Sequence, residues 1–260
     1  MLTSTYIHIP RIGRTIEHRI WSCGVRSWSE FAEHQDKIPI SAARKTTILA
    51  GIDESVQRLN ACDARFFAQS LPKSEHWRAY SDFKDKIAFV DIETTGLSPN
   101  YDCMTVVGIY DGKNVKTFVR GIDLDDIVCE FAKYDLLVTY NGARFDLPFI
   151  KHKYPEIEFD QLHIDLMYPL RRIGYTGGLK AIERALGVTR SEDTTGITGF
   201  DAVRLWHEYE RGSADALELL LAYNREDIVN LETIIELTHP EFVEGAFSAG
   251  AAPKVATPPG

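Results

Sequence analysis

Two carboxylates stand two residues apart in Phe89-Val90-Asp91-Ile92-Glu93-Thr94-Thr95-Gly96-Leu97. In a strand, residues so spaced project from one face, so Asp91 and Glu93 lie side by side. Anions held that close repel, and Mg2+ or Mn2+ is the economical neutraliser because hard cations take oxygen ligands. A second acid occurs in Tyr140-Asn141-Gly142-Ala143-Arg144-Phe145-Asp146-Leu147-Pro148-Phe149-Ile150. There Asp146 falls in the first turn of a helix that follows an apolar strand, where the helix dipole favours an anion, and Asn141-Gly142 is a turn signal. The third pattern is Tyr223-Asn224-Arg225-Glu226-Asp227. A spacing of four puts Tyr223 and Asp227 on one helical face, where a phenol can orient an attacking water and a carboxylate can complete a metal shell. Each pattern alone has an ordinary alternative: solvated edge acids, a helix-start aspartate, an interfacial tyrosine beside a surface acid.

The elements that must position these residues read as an α/β alternation. Strands are expected at 87–91, 104–110, 115–119 and 136–140, the second and third straddling the hairpin signal Asp111-Gly112. Helices are expected at 124–132, from about Arg144, at 178–186, at 201–210 and, longest, at 215–238, where His239-Pro240 is expected to stop the chain. The order gives a mixed sheet flanked by helices over 86–240. Residues 1–45 read as a small helical module. A turn at Ile9-Pro10-Arg11-Ile12-Gly13 leads to a helix closing at Cys23-Gly24, and a second helix starts from Ser27. Residues 46–85 read as a helical linker, and 241–260, rich in Gly, Ala and Pro, as a disordered tail.

The chain has 44% hydrophobic and 26% charged residues, the composition of an ordinary globular protein. No apolar run has the roughly 18 residues a membrane helix needs, and no secretory leader is visible, so a cytoplasmic location is the expectation. Four scattered cysteines show no zinc-finger spacing. The net charge of −9 is uneven: residues 1–50 hold seven basic against four acidic side chains, the remainder 22 against 34. An acidic body of that kind binds a polyanion only with cations to neutralise its carboxylates.

Asp91-Ile92-Glu93-Thr94, Asn141-x3-Phe145-Asp146-x-Pro148 and Tyr223-x3-Asp227 resemble, in order and spacing, the three exonuclease motifs of the DEDD superfamily in its tyrosine-bearing (DEDDy) branch. The wording is similar to that of family B DNA polymerase proofreading domains, and without a polymerase attached the chain most resembles the YprB-type RNase H-like proteins. The resemblance, over about 83–237, implies an RNase H-like fold and a metal-dependent 3′–5′ exonuclease acting on DNA or RNA, with a single-stranded 3′ end as partner and no membrane. It further implies that Asp91 bridges two Mg2+ or Mn2+ ions, that Glu93 and Asp227 hold the ion nearest the attacking water, and that Asp146 supports the other through a water. Thr95, Leu97, Asn141 and Phe145 then fall at substrate-binding positions. His163-Ile164-Asp165-Leu166 and Gly177-Gly178-Leu179-Lys180 fit the same style, with Asp165 as an acid at the site's edge and Lys180 as a phosphate contact. A turn-capping aspartate and a solvated lysine are the ordinary alternatives. Residues 1–45 resemble half of a helix-hairpin-helix nucleic-acid binder, with Arg11 where that motif has its first glycine, which makes Arg11 and Arg14 candidate backbone contacts. A structure-specific endonuclease and a non-catalytic nucleic-acid-binding adaptor are the other functions compatible with these motifs.

Overall fold

The computed structural model describes residues 1–248 of the chain. Five strands, β1 (Ile87–Thr94), β2 (Met104–Tyr110), β3 (Val115–Val119), β4 (Leu136–Thr139) and β5 (Leu162–Asp165), form one sheet in the order β3-β2-β1-β4-β5. β1 to β3 pair antiparallel, and β4 and β5 run parallel beside β1. The mixed sheet flanked by helices is thus present. Asp111 closes the β2–β3 turn by accepting from the Lys113 and Asn114 amides at 2.9 and 2.7 Å, and Gly112 takes φ +85°. β5 is a strand the local pattern does not announce. Four residues are too few to display a two-residue period, and pairing with β4 makes them extended.

Alternation along β1 divides the interior. Ala88, Val90 and Ile92 face a cluster with Phe131, Phe149 and Ile150, supplied in part by α6 (Ile127–Glu130) and α7 (Asp146–Lys153). Ile87 and Phe89 face a larger cluster with Leu170, Ile228, Leu231 and Ile235, carried by α8 (Met167–Arg172) and α11 (Ala214–Ser248). Asp91 and Glu93 continue this second face, so α11 passes over them. The same cluster takes in Trp21, Phe31, Ile48, Phe67 and Phe83 of α1 (Arg14–Ser22), α2 (Trp28–His34), α3 (Ala42–Asn60), α4 (Ala64–Ser70) and α5 (Tyr80–Phe83). A buried ion network ties these helices down: Arg78 meets Glu17 at 2.9 Å and Glu75 at 2.7 Å, and Glu75 also pairs with Arg14 and Arg172. At the free edge of β5, His163 N donates to His76 Nδ1 at 3.0 Å, so one exposed ladder amide is satisfied by the 3-10 segment Lys73–Ala79.

Before α1, Arg11 takes φ +66°, and Gly24 at φ +84° follows its end, as Cys23-Gly24 predicts. The expected stop at His239-Pro240 is not found. α11 continues through Pro240 to Ser248, so residues 241–248 of the expected disordered tail are helical, and 249–260 lie outside the described residues. A helix-interior proline costs about 3 kcal/mol. Aromatic packing beyond it offsets that cost: Phe242 is buried with its ring 5.7 Å from Trp77, and Phe247 lies 4.8 Å from Trp21 beneath the Arg26 guanidinium. Among the described residues no helix is long and apolar enough to cross a membrane.

Candidate metal centre

Three segments meet over the C-terminal half of β1. Asp91, Glu93 and Asp227 each offer one carboxylate oxygen, and these atoms all lie within 4.8 Å of one another. β1 supplies the first two on one face, and α11 brings Tyr223, Asn224 and Asp227 onto that face. Close approach of the helix depends on Gly108, the β2 residue opposite Asp91. A Cβ there would overlap Asn224 Oδ1. Asn224 is fully buried and its Nδ2 donates to the backbone oxygen of Asp91 at 3.3 Å and to Asp91 Oδ2 at 2.9 Å, which fixes the orientation of that carboxylate.

Asp146 arrives from the other side. The β1–β4 pairing ends at Phe89, leaving the amides beyond it free on that edge, and Asp146 Oδ1 accepts from Ile92 N at 3.1 Å. Asp146 opens α7 as its sequence position predicts. The loop that carries it is held by Asp165, whose carboxylate accepts from the amides of Asn141, Ala143 and Met167 at 2.7, 3.1 and 3.2 Å. Asp165 therefore acts here as a loop-capping acid. Asn141 takes φ +64°, a left-handed conformation that asparagine tolerates better than most side chains.

Crowding and burial disfavour the ionised form of each of these acids. Burial, followed by Asp227, Asp146 and Glu93, holds the Asp91 carboxyl well above the usual carboxylate range. Glu93 is raised by burial first, then by Asp227 and Asp146. Burial pushes Asp146 up to about 7, and it pushes Asp227 up to about 6 against the pull of Arg190. An all-oxygen donor set with this surplus of negative charge fits a hard divalent cation. Burial and the neighbouring Asp227, Glu93 and Asp91 also raise the Tyr223 phenol far above its ordinary value.

The remaining predicted residues are more dispersed. Thr95 Oγ1 accepts from Cys103 N, and Thr95 N donates to Cys103 O, both at 2.8 Å, closing the loop after β1. Leu97 in that loop is 83% exposed. Gly96 in the same loop accommodates Asp102, whose carboxylate a Cβ would overlap. Phe145 is half-buried against Phe149, with ring centroids 5.5 Å apart. Arg11 is exposed, and Arg14 is ion-paired to buried Glu75.

Two residues at the centre, Asn224 and Arg190, are not singled out by the sequence motifs. Asn224 sat inside the third motif and could have been found, being adjacent to Tyr223 on the same helix. Arg190, which pairs with Asp227, lies 37 residues away from it with no local signal. Lys180 is not a solvated lysine: its Nζ is buried without a hydrogen-bond partner among the described residues and stands 4.4 Å from the centroid of the Tyr223 ring.

A family model described as the RNase_H superfamily matches residues 88–239. Solved structures similar to the chain include a family B DNA polymerase from the hyperthermophilic archaeon Pyrobaculum calidifontis, at 17% identity and TM-score 0.49 over 64% of this chain. The chain spans 27% of that polymerase. NrnC of Brucella melitensis is similar at 18% identity and TM-score 0.42, covering 66% of this chain and 82% of its own. A nuclease in its apo form is similar at 18% identity and TM-score 0.43, covering 70% and 84%. No match was found among curated proteins.

Proposed function

The chain belongs to the RNase_H superfamily, and from that premise we propose that it is a DEDDy-type, two-metal-ion exonuclease that hydrolyses phosphodiester bonds from the 3′ end of DNA or RNA. The observation that carries this reading is the convergence of Asp91, Glu93 and Asp227 oxygens within 4.8 Å, with Asp146 hydrogen-bonded to the same strand. Asp91, Glu93, Asp146 and Asp227 would hold two Mg2+ or Mn2+ ions, which supply Lewis acidity and charge neutralisation to an in-line displacement.

The chain's own residues divide the remaining work. Asn224 fixes the Asp91 carboxylate. Tyr223 keeps its phenolic proton, because burial and the surrounding acids raise its pKa so far. It is therefore suited to orient the attacking water by hydrogen bonding and not to remove a proton from it. The loop that begins at Thr95 and carries exposed Leu97, together with Asn141 and Phe145, would receive the terminal nucleotide. In the N-terminal module, exposed Arg11 is the freer candidate for a phosphate contact, since Arg14 already faces Glu75.

End-labelled single- and double-stranded DNA and RNA, incubated with Mn2+, Mg2+ or EDTA, test the proposal. Mononucleotides released from the 3′ end in metal and not in EDTA are the expected result. Discrete internal cuts would make the protein an endonuclease, and binding without hydrolysis would make it an adaptor.

A further inference from the structure

The proposed mechanism leaves unused a buried guanidinium inside the acidic centre. Arg190 lies between α9 (Leu179–Leu186) and α10 (Gly199–Glu210), its side chain 7% exposed. Its Nη2 donates to Asp227 Oδ1, and Nη2 and Nε also grip the two oxygens of Glu183 at 2.6 and 2.8 Å. Among the described residues it is the cation hydrogen-bonded to the acids of the centre. We propose that Arg190 is the counter-cation that holds Asp227 until a divalent ion takes it over, so that this arginine sets the ion concentration at which the metal centre assembles. The proposal rests on the metal reading of the site given above.

A guanidinium does not deprotonate in proteins, so Arg190 keeps its charge and yields Asp227 to an ion by moving. The surroundings prepare that movement. Glu183 is buried and is itself held by Asn230 Nδ2 at 2.9 Å, so Arg190 remains anchored from behind when Asp227 lets go. Nη1 is buried without a partner, and Glu226 Oε2 stands 4.0 Å from it, one residue before Asp227 on α11. A small swing gives Nη1 this carboxylate in exchange for Asp227. Glu226 is held in place by Ser191 N at 3.0 Å and by Thr194 Oγ1, in the segment that carries Arg190. Both resting places of the guanidinium are therefore built, and they differ by which acid of α11 it faces.

An ion that must displace a charge-assisted hydrogen bond binds more weakly by the strength of that bond, so Arg190→Gln is expected to tighten Mn2+ binding roughly tenfold or more. Isothermal titration and electron paramagnetic resonance of Mn2+ with full-length metal-free protein read this directly, without activity. Because Arg190→Gln leaves Glu183 buried without its cation, nitrogen-15 spectra of the wild-type arginine side chains provide a second measurement. Saturating Mg2+ should shift the Arg190 Nη signals and leave the Nε signal, bonded to Glu183, in place. Equal or weaker Mn2+ affinity in a folded Arg190→Gln protein, or Arg190 signals unmoved at saturating Mg2+, overturns the proposal alone. A wild-type protein that binds neither ion overturns the metal reading, and the proposal with it.

Discussion

Replacing Asp91 by asparagine should stabilise the metal-free protein while removing its activity. Asparagine has the shape of aspartate and can still accept through Oδ1 from Asn224 Nδ2, which now donates to the Asp91 carboxylate at 2.9 Å. What disappears is one half-buried negative charge. At a separation of 4.8 Å or less and an effective dielectric constant of about 20, each fully ionised pair repels by about 3.5 kcal/mol. Asp91 faces two such partners, Glu93 and Asp227. Arg190 screens Asp227, and partial protonation of the raised carboxyls takes up more of the strain, so about 2 kcal/mol of net stabilisation is expected at pH 8, a rise of about 4–8 °C in Tm for a chain of this size. Thermal melts in EDTA measure that rise. Titrating Mn2+ into the same samples should raise the wild-type Tm and leave the variant's nearly unchanged, because binding to the folded state alone stabilises it. Hydrolysis of an end-labelled oligonucleotide, the reaction proposed above, should fall on the order of 10³-fold or more. An Asp91→Asn protein that melts below wild type in EDTA, yet responds to Mn2+ as wild type does, would show that these acids are not a repelling cluster waiting for a cation.

Other outcomes follow from the same geometry. Tyr223→Phe should lower kcat about 10²-fold with little change in Mn2+ affinity, a split that calorimetry and steady-state kinetics resolve together. Asp146 near 7 and Asp227 near 6 when folded, against about 3.9 unfolded, bind more protons in the folded state between about pH 4 and 7, whereas buried His8 and His163, lowered to about 4 and about 3, bind fewer. The two acids' contribution to the stability of the metal-free protein should therefore fall as pH rises through that window, and stabilisation by Mn2+ should grow over the same range. Replacing both Asp146 and Asp227 by asparagine should remove that contribution, and a dependence of Tm on pH in EDTA identical in wild type and the double variant from about pH 5 to 8 would contradict this. Arg78→Ala leaves Glu17 and Glu75 buried without that partner, and urea unfolding should register a loss of about 3–5 kcal/mol.

The local sequence already determined which atoms could do chemistry. Asp91 and Glu93 share a face because a strand has a period of two. Tyr223 and Asp227 share one because a helix turns in 3.6 residues, and the Asp111-Gly112 turn determined the β2–β3 hairpin; each is a property of a few neighbouring residues. Tertiary structure alone decided what no window of sequence contains. Gly108 carries no signal until β1 pairs with β2 and sets it opposite Asp91, where its missing side chain admits Asn224. Leu162–Asp165 becomes a strand because β4 offers it a ladder, and Pro240 stays within a helix because Phe242 and Phe247 find Trp77 and Trp21 beyond it. Arg190 meets Asp227 across 37 residues, because packing fills the space between α9 and α11 with whatever charge balances the acids there. Periodicity acts over a turn of chain, whereas counter-charges and close approaches are chosen by the whole fold.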